Sequence, residues 1–158
     1  MSGETFALCG QKFSKNDNII HFVGTVDELN SHLGLVKAML SSGDAWKFSC
    51  QFLEEIQKKL MKLMSHACDA GNNEYFFSEG EAAELEKETD KLSHNLPKLT
   101  GFVLPGKNIM EAQIQIARTV ARRAERLFFS AGGQLCQNAG VYLNKLSGYL
   151  FVLSQQEF

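Results

Sequence analysis

The stretch Thr25-Val-Asp-Glu-Leu-Asn-Ser-His-Leu-Gly-Leu-Val-Lys-Ala-Met-Leu40 places Val26, Leu29, Leu33, Val36 and Leu40 three and four residues apart. That spacing lays one apolar stripe along a helix, which needs a core to face. Thr25 with Glu28 three residues later reads as a capping box opening this helix, and Ser41-Ser42-Gly43 reads as its end. The same period returns over residues 44–70 at Leu53, Ile56, Leu60, Leu63 and Ala67, with Gly71 as the residue just past the helix end. Ser78-Glu-Gly-Glu81 is a second capping box, ahead of a thinner apolar edge at Ala82, Leu85, Leu92 and Leu96 that Pro97 stops. After a loop over 99–107, Asn108 starts a fourth helix that Gly132-Gly133 closes. The fifth runs from Asn138 to the C-terminus with Leu143, Leu146, Leu150 and Leu153 inward. Residues 1–23, with Gly3 and Gly10, read as an irregular arm. The whole predicts an all-α, five-helix, up-and-down bundle over 24–158 in a single domain of 1–158.

Composition agrees with that class. The 158 residues are 44% hydrophobic with a formal net charge of −2, which excludes a disordered chain and argues against a nucleic-acid binder. Only two prolines occur, as suits long helices. No apolar run reaches the roughly 20 residues of a membrane span, and Met1-Ser-Gly-Glu-Thr5 does not begin a signal peptide. A cytoplasmic protein without membrane or nucleic-acid partners is the expectation. Cys9, Cys50, Cys68 and Cys136 are scattered, as are the four histidines. None has metal-ligand spacing, so the expectation is four inert, buried thiols and no metal site. Paired Glu-x-x-His motifs of a di-iron bundle are absent from the sequence.

The densest charge lies at Ala117-Arg-Thr-Val-Ala-Arg-Arg-Ala-Glu-Arg126. Arg118, Arg122 and Glu125, spaced four and three apart, share a face of the fourth helix. Such a face is ordinarily solvated and internally paired. It is also a fit for polyphosphate, because guanidinium presents a planar fork of donors. Asp27 reads as a first-turn acid favoured by the helix dipole, Asn144 as a surface amide and Phe102 as a loop hydrophobe. Singly, none is specific.

Together, Gly24-Thr-Val-Asp-Glu-Leu-Asn30, Gly101-Phe-Val-Leu-Pro-Gly106, Arg118-Thr-Val-Ala-Arg-Arg-Ala-Glu-Arg126 and Tyr142-Leu-Asn-Lys-Leu-Ser147 make an ordered set. In this set the chain resembles the PduO-type ATP:cob(I)alamin adenosyltransferases over nearly its entire length. The resemblance implies a homotrimer with sites between subunits. It implies transfer of the 5′-deoxyadenosyl group of ATP to cob(I)alamin, giving adenosylcobalamin and triphosphate, with Mg²⁺ accompanying the nucleotide. A cobalamin reductase and an adenosylcobalamin-dependent enzyme are the implied partners in vitamin B12 metabolism.

By the same resemblance, Asp27 pairs across the interface with Arg118, and Phe102 crowds the lower face of the corrin. Arg122, Glu125 and Asn144 hold the nucleotide, while Gly3, Thr5 and Lys15 belong to the phosphate-binding arm. Family members carry TGDxGTT in that arm and NRLSD on the last helix. Here Glu4 stands where a threonine is usual, and Gly148 ends Asn144-Lys-Leu-Ser-Gly148 where an aspartate is usual. These departures predict weakened ATP binding, and they frame the alternative of a non-catalytic corrinoid- or nucleotide-binding relative with a carrier or regulatory role.

Overall fold

The structure, a computed structural model, describes residues 3–7, 10–41, 46–94, 96–98, 101–131 and 136–158. Among these, five α-helices follow a short antiparallel hairpin of β1 (Glu4–Phe6) and β2 (Lys12–Ser14). The helices are α1 (Asn18–Leu40), α2 (Lys47–Cys68), α3 (Glu79–Ser93), α4 (Ile109–Ser130) and α5 (Gln137–Ser154). Helix α1 packs against α2 and α4, and α5 packs against α3 and α4. Ion pairs from Lys59 to Glu84 and Lys62 to Glu81 tie α2 to α3.

The expected apolar stripes meet in one core. Val26, Leu29, Leu33 and Val36 of α1 are fully buried with Leu53, Leu60 and Leu63 of α2 and Leu143, Leu146, Leu150 and Leu153 of α5. Each such side chain contributes roughly 1.5–3 kcal/mol relative to exposure. Where α4 meets α5, a Cβ built on Gly140 would stand 2.7 Å from Cε1 of Phe128. The Phe128 ring packs against the Gly140 backbone, and a larger residue there would require that ring to shift.

Helix starts separate the correct expectations from the mistaken ones. The Ser78 capping box forms, with Glu81 reaching back to the Ser78 N–H at 2.8 Å. Asn108 caps α4, its side chain accepting from the Glu111 N–H at 2.8 Å. Thr25 caps nothing. Helix α1 already begins at Asn18, so Thr25 is a buried mid-helix residue whose hydroxyl donates to the His21 carbonyl at 2.9 Å. Asp27 therefore lies well beyond the first turn, where a helix N-terminus has no hold on it. The arm is likewise not irregular throughout, since it holds the hairpin and the first turns of α1.

Helix α2 ends at Cys68 with Asp69 as its cap, and among the described residues only Gly10 and Gly106 have positive φ, so Gly71 is not a left-handed terminator. Helix α5 stops at Ser154, short of the C-terminus. Cys50, Cys68 and Cys136 are half-buried rather than buried, and Cys136 Sγ donates to the Phe77 carbonyl at 3.2 Å. Cys9 and the helix ends assigned to Ser42-Gly43 and Gly132-Gly133 lie outside the described residues.

His66, in the last turn of α2 and only 3% exposed, fastens the start of α5. Its Nε2 accepts from the Cys136 backbone N–H at 3.1 Å, while Nδ1 is buried without a partner. Accepting at Nε2 requires the neutral ring, and burial, helped by nearby Lys62, pushes the His66 pKa below its ordinary value. The unfolded chain then takes up a proton at His66 first as pH falls. The stability this contributes is present above about pH 6.5 and declines as pH drops below it toward the folded-state value. The melting temperature should fall between about pH 7 and 5, and His66→Gln should flatten that dependence. An unchanged profile in the variant would remove His66 as its source.

Candidate active site

Two groups of site residues form on different parts of the chain. The first is built by the hairpin. Pairing of Thr5 with Phe13 closes the arm, and the Lys15 N–H donates to the Gly3 carbonyl at 2.8 Å. Gly3, Thr5 and Lys15 are thus brought together, with the Lys15 side chain exposed. Asp17, the residue before α1, accepts from the Ser14 N–H at 2.7 Å, which docks the hairpin onto the helix. Glu4 forms an ion pair with Lys12 at 2.8 Å, so the carboxylate that replaces the usual threonine has its charge met within the arm. Both partners are about half exposed, and the pair contributes little to stability.

Behind the hairpin lies a cleft of about 600 Å³ between β1, α1 and α2. Thr5, Phe6, Val23, Asp27, Met61, Met64, Cys68 and Tyr75 line it. Sequence reasoning found Thr5 and Asp27 but not the rest. Met61, Met64 and Cys68 do recur at helical spacing beside the Leu60 and Leu63 stripe, and that second, softer stripe was the available signal.

The second group sits on α4 and α5. Asn144 Nδ2 donates to Glu125 Oε1 at 2.9 Å, bringing together two residues that the sequence separates by 19 positions. Arg122 lies one turn before Glu125, exposed, with no ion-pair partner among the described residues. Its neighbours are occupied: Arg123 pairs with Glu28 of α1, and Arg126 donates to the Arg122 carbonyl at 3.2 Å. Arg118 is half-buried and its Nε donates to Gln115 Oε1 at 2.5 Å. Gln115, buried and unforeseen, in turn donates to the Ser154 hydroxyl at 3.0 Å, so a chain of polar contacts to α5 orients Arg118. Gly148 is exposed, and a Cβ there would meet nothing within 4 Å.

Asp27 and Arg118 form no ion pair within the chain. Asp27 is exposed at the cleft, and among the described residues the Arg118 fork is engaged only at Nε. Phe102 is fully exposed on the loop ahead of α4, with Leu104 beside it nearly so. A phosphate-suited cation face and a largely apolar cleft bordered by Asp27 and Asp69 are both present, on different parts of the chain.

The cobalamin adenosyltransferase family model matches residues 2–157. The corrinoid adenosyltransferase MMAB of Bos taurus is 32% identical over 97% of this chain, which spans 66% of the bovine protein. A cobalamin adenosyltransferase of Cupriavidus metallidurans is 35% identical over 98% of this chain and 82% of its own length. Among solved structures, a variant PduO-type ATP:corrinoid adenosyltransferase from Lactobacillus reuteri, complexed with cobalamin and ATP, superposes with a TM-score of 0.86. It is 28% identical, over 97% of this chain and 87% of that one. The fold, the ordered motifs and the extent of these matches place the chain in the cobalamin adenosyltransferase family.

Proposed function

We propose that the chain is a corrinoid adenosyltransferase, working as a homotrimer whose sites lie between subunits. The cobalt of cob(I)alamin attacks C5′ of ATP, the C5′–O bond breaks, and its electron pair leaves with triphosphate. Such a displacement asks the protein for positioning and charge neutralisation rather than for proton transfer.

The observation that carries this reading is the Asn144–Glu125 hydrogen bond beside the unpaired Arg122. It leaves a guanidinium free for phosphate, while a neighbouring acid is held in place by an amide. The hairpin of a second subunit, with Gly3, Thr5 and Lys15, would close the nucleotide from the other side. Asp27 of one subunit then meets Arg118 of the next, and Phe102 covers the lower face of the corrin and excludes water from the cobalt. Among the described residues no three metal-ligating side chains cluster, so Mg²⁺ would be held chiefly by the triphosphate and by water. Its charge would meet part of the triphosphate charge beside Glu4.

The matches to named corrinoid adenosyltransferases favour catalysis over the carrier alternative. The Glu4–Lys12 pair also removes part of the electrostatic objection to ATP. Incubation with Mg-ATP and chemically reduced cobalamin tests the reading. Equal amounts of adenosylcobalamin and triphosphate are expected, from a species that sediments as a trimer. Binding of both ligands without either product would establish the carrier role instead.

A further inference from the structure

We propose that Glu111 is a positioning residue whose buried carboxylate clamps the turn that presents Phe102. The inference rests on the reading of Phe102 as the residue covering the corrin. Glu111 occupies the third position of α4, where a glutamate ordinarily reaches back to the N–H of the capping residue. Here it reaches further. Its Oε2 accepts from the Gly106 N–H at 2.7 Å and the Lys107 N–H at 3.2 Å, both ahead of the cap. Asn108 meanwhile accepts from the Glu111 N–H, so side chain and backbone of one residue hold both limbs of the turn.

Three further features show that this turn is built rather than incidental. Gly106 has φ +113°, a backbone conformation that side chains oppose, although a Cβ there would meet nothing within 4 Å. Torsion alone demands glycine. Glu111 is only 2% exposed and leaves Oε1 buried without a partner. Burying a carboxylate with an idle oxygen is costly, and two fixed amide donors with the positive end of the helix offset it. Finally, Phe102, Leu104 and Ile109 flank the turn and stand largely in solvent. Apolar side chains on a slack loop would fold back onto the bundle, whereas this clamp holds them out.

The test measures exchange of the Gly106 and Lys107 amides together with turnover. In Glu111→Ala both amides should lose protection. Turnover at saturating ATP should fall about ten- to hundred-fold, the scale of loss when a reacting pair is misplaced by about 1 Å. The KM for ATP should not move, because Arg122, Glu125 and Asn144 lie elsewhere. Glu111→Gln keeps an acceptor oxygen and should retain most of the protection and turnover, which separates clamping from a general failure to fold. In a Phe102→Ala background, Glu111→Ala should add little further loss. Unchanged amide protection, or the same fold-loss in that background, would overturn the proposal. A wild-type chain with no turnover at all would overturn the reading of the reaction instead, and amide exchange would still decide the clamp.

Discussion

Arg122→Ala should abolish measurable ATP binding while leaving the subunit folded. Arg122 is exposed on α4 and has no ion-pair partner among the described residues, so its removal strands no charge and opens no cavity. The fold should not notice. A guanidinium that grips phosphate through two donors makes two charge-assisted hydrogen bonds of about 1.5–3 kcal/mol each. Their loss corresponds to roughly a hundred-fold weaker binding or more. Arg122→Lys should recover only part of this, because an ammonium is a point charge and cannot reproduce the planar fork. Calorimetric titration with Mg-ATP reads the affinity, and thermal unfolding controls for stability. Wild-type affinity in the alanine variant would remove Arg122 from the nucleotide site.

Asp27→Asn should break the assembly without unfolding the subunit. Within one chain Asp27 is exposed and does not pair with Arg118, so the substitution costs the isolated fold little. Across the proposed interface the same residue would be buried against Arg118. Removing one partner of such a pair strands the other charge and costs about 3–5 kcal/mol, or roughly 10²–10⁴-fold in association. Sedimentation over a range of concentrations should show the variant dissociating where the wild type stays assembled, with turnover lost in step. A variant that assembles like wild type would leave Asp27 as a solvated acid at the cleft.

The two residues illustrate what the sequence alone could disclose. Arg122, Glu125 and Asn144 were legible because helical spacing and motif order fix their faces, and the Asn144–Glu125 bond follows once α4 and α5 pack. Asp27 was singled out by motif order, while its local reading as a first-turn acid was mistaken. Thr25-Val-Asp-Glu28 has the letters of a capping box, but Phe22 continues the buried stripe of Val26 and Leu29 one turn earlier, and that period outranks the cap. The hairpin was not legible at all. Its strands have three residues each, too few to show alternation, and it is held by docking onto Asp17. The cleft behind it depends on that docking and was missed with it. Glu111 was hidden for a related reason: its partners are backbone amides, which carry no letter in the sequence.

The contact between Gly140 and the Phe128 ring bears on how such a site can vary over evolutionary time. It lies about one helical turn from both Glu125 and Asn144, at a point where α4 and α5 pack together. A contact with no charge and no hydrogen bond thus lies beside a polar pair that has both. At the exposed arm a charge can be met by a neighbouring side chain, as Lys12 meets Glu4. Position 140 has less latitude, because a side chain there would require the Phe128 ring to shift. The spacing of Glu125 and Asn144, the residues proposed to hold the nucleotide, rests in part on an apolar contact one turn away.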